Sequence, residues 1–293
     1  MTDPRTATEQ PRGAVGGTAS GDVRQATLVA FYGPKRTPLA EFLTACQDRL
    51  RRSVRQLGSE LEFRPYALAQ IHATILGLER SGRTGLHNRN LQELGGRPRA
   101  MCLPKLFEFV LKSDHLPLEV QLGGFEDRDY PFQSRGARPY DRSFSVQGRT
   151  AVVIGWPVEA TGGKGDARSR GRASGLQAPP GHPFALDALR RSAHRFNVLH
   201  RWHREPTDVD NDLYLRLGSL EADLTAAQRQ LVEAELRRAL ATAPPLILQL
   251  SASDLSVVSY QADDETLPLL RSEAIRLTDP RLRDDDFVPQ LYA

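Results

Sequence analysis

The chain has 293 residues, of which 40% are hydrophobic and 26% charged, a composition that can build a core in one large domain or two small lobes. No apolar run approaches the roughly 18 residues of a membrane helix. The 2 cysteines are too few for a disulfide scaffold or a four-cysteine zinc site. A formal charge of +3 favours anionic partners only mildly. We therefore expect a cytoplasmic protein with no membrane contact.

The first half of the chain alternates between strand and helix patterns. Residues 1–25 are polar throughout and predict a disordered leader. A compact apolar run predicts a strand over 26–32. Thr37 as N-cap and Gly58 as terminator bound a helix whose apolar residues recur at helical spacing. The patterns that follow predict a strand over 68–79, a helix over about 99–112 and a half-buried strand over 118–125.

The second half repeats this order. A buried strand is predicted over 150–156, and the Gly-, Arg- and Ser-rich stretch 159–181 predicts a mobile surface insertion. Thr225 and Gln228 form a capping box that opens a helix. The apolar stripe of that helix is Leu231, Val232, Leu236 and Leu240. The other predicted elements are a helix over 183–199, strands over 212–218, 246–250 and 255–260, and a C-terminal tail over 269–293.

This element order predicts an α+β fold with two similar lobes. Residues 32–35 (YGPK) follow the first strand and match neither a dinucleotide-binding fingerprint nor a P-loop, which argues against a nucleotide-cofactor or kinase fold. The chain has no G-x-S-x-G elbow, and neither cysteine lies beside a histidine. Serine or cysteine nucleophile chemistry therefore has little support.

The sharpest chemical feature is the pair His72 and Thr74 inside an apolar strand pattern. Residues i and i+2 of a strand point to the same face, so the two side chains stand roughly 7 Å apart. A hydroxyl can donate a hydrogen bond to a phosphate oxygen while a histidine moves a proton near neutral pH. The alternative is a strand histidine that is merely hydrogen-bonded.

Three segments carry a resemblance to a known family: the His-x-Thr strand at 71–75, the strand ending in paired glycines at 118–125, and the strand at 253–260. Between about residues 27 and 268, the chain resembles the 2H phosphoesterase superfamily, which includes RNA 2′,3′-cyclic phosphodiesterases of the 2′-5′ RNA ligase-like type. The resemblance implies two pseudo-symmetric lobes around a central cleft. Each lobe would be an antiparallel sheet with helices on its outer face, with lobes at about 26–115 and 116–268.

The chain departs from the family where the second His-x-Thr is expected. Asp212 and Tyr214 stand there instead, and by the i, i+2 rule they would face the same cleft. The family uses two histidines, one activating a nucleophile and the other protonating the leaving oxygen. Three versions stay open: a second histidine elsewhere, an asymmetric enzyme using His72 and Asp212, or a lobe that binds without turnover.

His200 and His203 are the nearest candidates for the missing histidine, since they precede the strand over 212–218. They can equally be surface histidines at a helix C-terminus, where a positive ring suits the helix dipole. With the aspartates that follow they also suggest a hydrolytic metal site. The spacing matches neither an EF-hand nor a His-Glu-x-x-His helix.

The resemblance therefore implies a monomeric phosphodiesterase-like protein acting on RNA 2′,3′-cyclic phosphate ends or small cyclic nucleotides. Thr74 and Tyr214 would hold phosphate oxygens, while His72 and Asp212 exchange protons, with protonated His72 as the acid. The family needs no metal, and no cofactor is expected. The alternatives are a degenerate 2H module that binds RNA or a nucleotide without turnover, and a metal-dependent hydrolase using His200 and His203.

Overall fold

The computed structural model describes residues 23–95, 97–159, 178–179 and 181–293. The predicted leader up to residue 22, and the predicted insertion over 160–177 and at 180, lie outside these ranges. The strands are β1 (Arg24–Ala30), β2 (Phe63–Pro65), β3 (Ala73–Gly77), β4 (Leu118–Leu122), β5 (Phe144–Gln147), β6 (Thr150–Val158), β7 (Leu213–Leu220), β8 (Leu246–Leu250), β9 (Leu255–Gln261) and β10 (Ser272–Arg276). The α-helices are α1 (Thr37–Leu57), α2 (Arg89–Glu93), α3 (Leu103–Leu111), α4 (Pro139–Arg142), α5 (Ala185–Ser192) and α6 (Ala226–Thr242).

The described strands form one sheet with the order β10-β9-β1-β3-β7-β6-β4-β8, to which β2 adds on β7 and β5 adds on β6. Every neighbouring pair is antiparallel, which confirms the α+β class. The two halves of this order meet at β3 and β7, where Ala73 opposite Leu215 is the registered pair. The junction between the strand carrying His72 and the strand following Asp212 therefore lies in the middle of the sheet.

One face of the sheet is covered by helices. The apolar side of α1 repeats every three or four residues and is buried at Leu39, Leu43, Leu50 and Val54. These side chains share one large core with α3, α5, α6 and alternate strand residues such as Ala73 and Leu215. Because strand side chains alternate, the neighbours of Ala73 and Leu215 point to the opposite face.

Two small clusters occupy parts of that opposite face. One lies over β1 and β9 and consists of Val29, Tyr32, Val258, Tyr260 and Leu267. The other lies over β6 and consists of Phe125, Phe132, Val152, Ile154 and Trp156. Strands β3 and β7 lie between them in the sheet order. The side chains of β3 and β7 on this face are thus flanked by an apolar cluster on each side.

Several predicted elements differ from the structure. The strand expected over 68–79 is shorter, because Leu68–Gln70 forms a 3₁₀ turn before β3 begins. Strands β8 and β9, predicted next to each other in sequence, lie towards opposite edges of the sheet. The predicted C-terminal tail over 269–293 contributes β10, which pairs with β9. Within the ranges given above, no helix has the length and apolarity needed to cross a bilayer.

The two predicted helix caps have different outcomes. The capping box is confirmed: the Thr225 hydroxyl accepts from the Gln228 backbone, and the Gln228 side chain accepts from the Thr225 backbone. The Thr37 cap is wrong, because Arg36 is the N-cap residue and makes no side-chain capping bond. Of the apolar stripe predicted for α6, three residues are buried, but Leu231 is 63% exposed.

This contrast supplies a stability test. Thr225→Ala removes the capping oxygen and is expected to lower the free energy of unfolding by about 1 kcal/mol. Thr37→Ala removes no capping bond and serves as the matched control, with a change within about 0.5 kcal/mol. Urea unfolding followed by circular dichroism measures both. Equal losses in the two variants would contradict a capping role for Thr225.

Candidate functional site

His72 and Thr74 lie on the sheet face opposite the helices. Ala73, between them, packs in the main core, so the side chains on either side of it project the other way. His72 immediately precedes β3 and is 7% exposed, whereas Thr74 is exposed. The hydroxyl is therefore open to a ligand, and the imidazole stands beside it in a drier environment.

Local contacts fix the protonation pattern of His72. Its Nδ1 lies 2.8 Å from the carbonyl oxygen of Gln70, and a carbonyl can only accept, so Nδ1 carries the proton and Nε2 is an acceptor. The Tyr32 ring packs edge-on, with centroids 5.9 Å apart. Burial lowers the pKa of His72 to about 4, and the charges of Arg216 and Lys35 act in the same direction. At pH 7 the ring is neutral and can act as a base.

Strand β7 brings two more polar side chains to the same face. The pairing of Ala73 with Leu215 in an antiparallel register sets Thr74 beside Tyr214 and His72 beside Arg216. The Tyr214 hydroxyl donates to Oε1 of Gln147 at 2.6 Å. We call the group His72, Thr74, Tyr214 and Arg216 the β3–β7 face. It combines a neutral base, two hydroxyls and a guanidinium.

Asp212 is buried in a separate polar network and is only 3% exposed. Its Oδ1 accepts from the Ser134 hydroxyl and from Nε1 of Trp156, both at 2.7 Å. Its Oδ2 accepts from Nη2 of Arg142 at 3.2 Å, and the Nε atom of Arg135 lies 3.7 Å away. Both carboxylate oxygens are thus occupied by the protein itself.

His200 and His203 are buried side by side, with ring centroids 5.0 Å apart. The Nε2 of His200 lies 2.6 Å from Asp210, and the Nε2 of His203 lies 2.8 Å from Asp187. Burial, reinforced by Arg190, lowers the pKa of His200 to about 4. Among the described residues no hydrogen bond or ring contact joins either histidine to the β3–β7 face.

Arg190 of α5 was not anticipated from the sequence. It is 2% exposed, and its guanidinium donates to four backbone carbonyl oxygens where β3 and β7 separate. The carbonyls are those of Thr74 at 2.9 Å, Ile75 at 3.1 Å, Asp210 at 2.9 Å and Asp212 at 3.1 Å. The planar fork of donors suits this task. The sequence gives only a weak indication that Arg190 is buried, namely its position three residues after Asp187 and next to the apolar residues of the same helix.

The positions of His200 and His203 do not support the predicted metal site. His200 and His203 direct their Nε2 atoms at different aspartates. Over the part of the chain that the structure describes, no three His, Cys, Asp or Glu side chains are grouped to hold a metal ion. In comparisons with known proteins, no family model matches the chain and no curated protein is significantly similar to it.

Proposed function

We propose that the β3–β7 face binds a phosphodiester, an RNA 2′,3′-cyclic phosphate end or a small cyclic nucleotide, and that His72 is the base in its hydrolysis. The observation that carries the proposal is the register of Ala73 with Leu215. In this register the Thr74 hydroxyl, the Arg216 guanidinium and the unprotonated Nε2 atom of His72 belong to neighbouring positions on one face of the sheet, and this supports the proposal. The proposal includes the sequence-based expectations of two lobes, a central cleft and a cytoplasmic monomer.

The chemistry divides between binding and proton transfer. Thr74 would donate a hydrogen bond to a non-bridging phosphate oxygen, and Arg216 would offset the phosphate charge. The Tyr214 hydroxyl has one proton and donates it to Gln147, so Tyr214 would hold a phosphate oxygen only by exchanging that hydrogen bond. The Nε2 atom of His72 would take a proton from a water molecule while the water oxygen attacks phosphorus. One P–O ester bond then breaks, and the imidazolium returns the proton to the leaving oxygen. A bound anion raises the pKa of a nearby histidine, so the ligand itself would make His72 a stronger base.

Asp212 takes a different role in this proposal from the one expected of it. Because Ser134, Trp156 and Arg142 already occupy its oxygens, we assign it to holding the start of β7 and not to proton transfer. The same occupancy supports a second candidate function. Among the residues that the structure describes, no second histidine and no carboxylate is hydrogen-bonded to the His72 ring, and a protein with this single proton carrier would bind the nucleotide without turnover.

Hydrolysis of 2′,3′-cyclic nucleotides in the presence of EDTA tests both candidates. The wild type is expected to turn over, and His72→Gln to lose at least about tenfold in rate. Asp212→Asn keeps an acceptor oxygen for Ser134 and Trp156 and is expected to retain most of the activity. His194→Gln, at an exposed histidine, is the matched control.

The outcomes separate the hypotheses. Equal rates for wild type and His72→Gln would exclude His72 as the base. Loss of activity in Asp212→Asn with an unchanged melting temperature would restore Asp212 as a proton carrier. Nucleotide binding that requires His72 but shows no hydrolysis would favour the binding module. Activity that EDTA abolishes would revive the metal-dependent hydrolase.

A further inference from the structure

A polar pocket opens beside the end of β1, and the Tyr32 ring lies between it and His72 of the β3–β7 face. Its volume is about 220 Å³, and the side chains that line it include Tyr32, Lys35, Arg36, Asp254 and Arg276. It is formed where the turn after β1 meets the segment before β9 and the end of β10. The pocket is large enough for a small polar ligand and carries three cationic side chains.

The Lys35 amine is fixed in this pocket by the turn that precedes α1. Its Nζ donates to the carbonyl oxygens of Phe31 and of Gly33, the latter at 2.8 Å. Phe31 adopts a left-handed backbone with φ of 63°, which is uncommon for a bulky residue. The ammonium has three donors, so one N–H remains after the two carbonyls are served. A strained turn thus places one cationic donor at the pocket wall.

The pocket lining has more cationic than acidic side chains, and its acidic side chain does not pair with Lys35 or Arg276. Asp254 is the carboxylate in the lining, but its Oδ1 accepts from Arg36 at 2.6 Å and its Oδ2 from the backbone and hydroxyl of Ser251. Within the described ranges neither Lys35 nor Arg276 has an ion-pair partner among the acidic side chains. Burial, with the charge of Arg276, lowers the pKa of Lys35 to about 7.

We propose that this pocket is a binding site for a small oxyanion such as phosphate, held between the Lys35 ammonium and the Arg276 guanidinium. An anion there would supply the negative charge that both cations lack and would satisfy the remaining Lys35 donor. Helix α1 begins beside the pocket without a side-chain cap, and its first N–H groups add partial positive charge. The site does not depend on the function proposed for the β3–β7 face.

Anion binding in this pocket is linked to proton uptake. The groups facing Lys35 are Arg276 from β10, Arg36 and Asp254 at the pocket wall, and His72 across the Tyr32 ring. A bound anion raises the pKa of Lys35, so the complex holds a proton that part of the free protein lacks at pH 7. Affinity is therefore greatest below the pKa of free Lys35 and falls as the pH rises through 7.

Calorimetric titration of the full chain with sulfate tests the site, because the charge of sulfate is constant from pH 6 to 8. The titrations use the Arg216→Gln background, because Arg216 is the cation of the β3–β7 face and does not line this pocket. Lys35→Met and Arg276→Gln are each expected to weaken binding at least about tenfold. Arg271→Gln, an exposed arginine paired with Asp263, is the control and should bind normally.

Lys35→Arg keeps the positive charge at this position but removes a group that titrates near pH 7. Its guanidinium stays protonated in this range, so this variant is expected to bind sulfate with nearly the same affinity at pH 6 and 8, whereas Lys35 itself binds more weakly at pH 8. A nucleoside 5′-monophosphate that binds more tightly than inorganic phosphate would identify the ligand as the phosphate end of a nucleotide. Equal affinities would identify a free oxyanion.

Two results would overturn the site. One is the absence of sulfate binding at millimolar concentrations. The other is unchanged binding in both Lys35→Met and Arg276→Gln, with melting curves showing that the variants fold. If sulfate binds the wild type but not Arg216→Gln, the anion belongs to the β3–β7 face, and the proposed function stands without this pocket.

Discussion

Arg190→Met is expected to lower the free energy of unfolding by about 3–5 kcal/mol, as found when one partner of a buried charged network is removed. Methionine replaces the unbranched apolar stem of arginine but has no guanidinium and donates no hydrogen bond. The carbonyls of Thr74, Ile75, Asp210 and Asp212 would each lose a donor at 2.9–3.1 Å. The carboxylate of Asp210 would also lose a cation 3.4 Å away.

Urea unfolding should show this loss as a lower midpoint with an unchanged slope. Arg238→Met is the matched control, because Arg238 is an exposed arginine of α6 and its replacement should stay within about 0.5 kcal/mol. Arg190→Lys should recover only a small part of the loss, since a single ammonium lacks the planar fork that reaches carbonyls both on β3 and on the segment before β7. A midpoint for Arg190→Met equal to that of Arg238→Met would show that the four bonds contribute nothing.

The face that carries His72 and Thr74 could be predicted because it depends only on the alternation of a strand. The i, i+2 rule places both side chains opposite the buried Ala73, and the structure has Ala73 in the main core. The length of the strand could not be predicted in the same way. Leu68–Gln70 is as apolar as a strand start, yet it turns into a 3₁₀ segment whose Gln70 carbonyl binds His72.

The hydrogen-bond partners of Asp212 could not be predicted from the sequence around it. Its spacing from Tyr214 indicates a shared side of β7, but it says nothing about what lies above that side. Ser134 and Trp156 are 78 and 56 residues away in the chain. Their donors reach Asp212 only after the sheet and the segment before α4 have assembled, so its occupancy is a tertiary property.

The buried charges around α5 were missed for a related reason. Sequence patterns assign apolar residues to the core and charges to the surface, and charged residues are buried only when they are paired. Asp187 and Arg190 lie beside the apolar residues of α5 and are almost fully buried. Their partners come from the segment around His203 and Asp210. No periodicity within α5 could identify those partners.

The protein is expected to lose stability as the pH falls from about 6.5 to 4, by about 3 kcal/mol for each of His72 and His200. Both rings have a pKa of about 4 in the folded protein, against about 6.5 when unfolded. Between these values the unfolded chain binds a proton that the folded chain does not, so acid favours unfolding. Burial raises the pKa of Glu79, which offsets part of the loss near the lower end.

Urea unfolding at intervals between pH 7 and pH 4.5 measures this dependence. His72→Gln removes one of the buried rings and should reduce the slope of stability against pH by about 1.4 kcal/mol per pH unit within its window. Burial also lowers the pKa values of His115 and His182, so these two rings add to the slope in the wild type and in this variant alike. His194→Gln removes an exposed histidine and should leave the slope unchanged. A wild-type stability that is flat from pH 7 to 4.5 would mean that neither buried ring resists protonation, and it would remove the argument that His72 is neutral and able to act as a base.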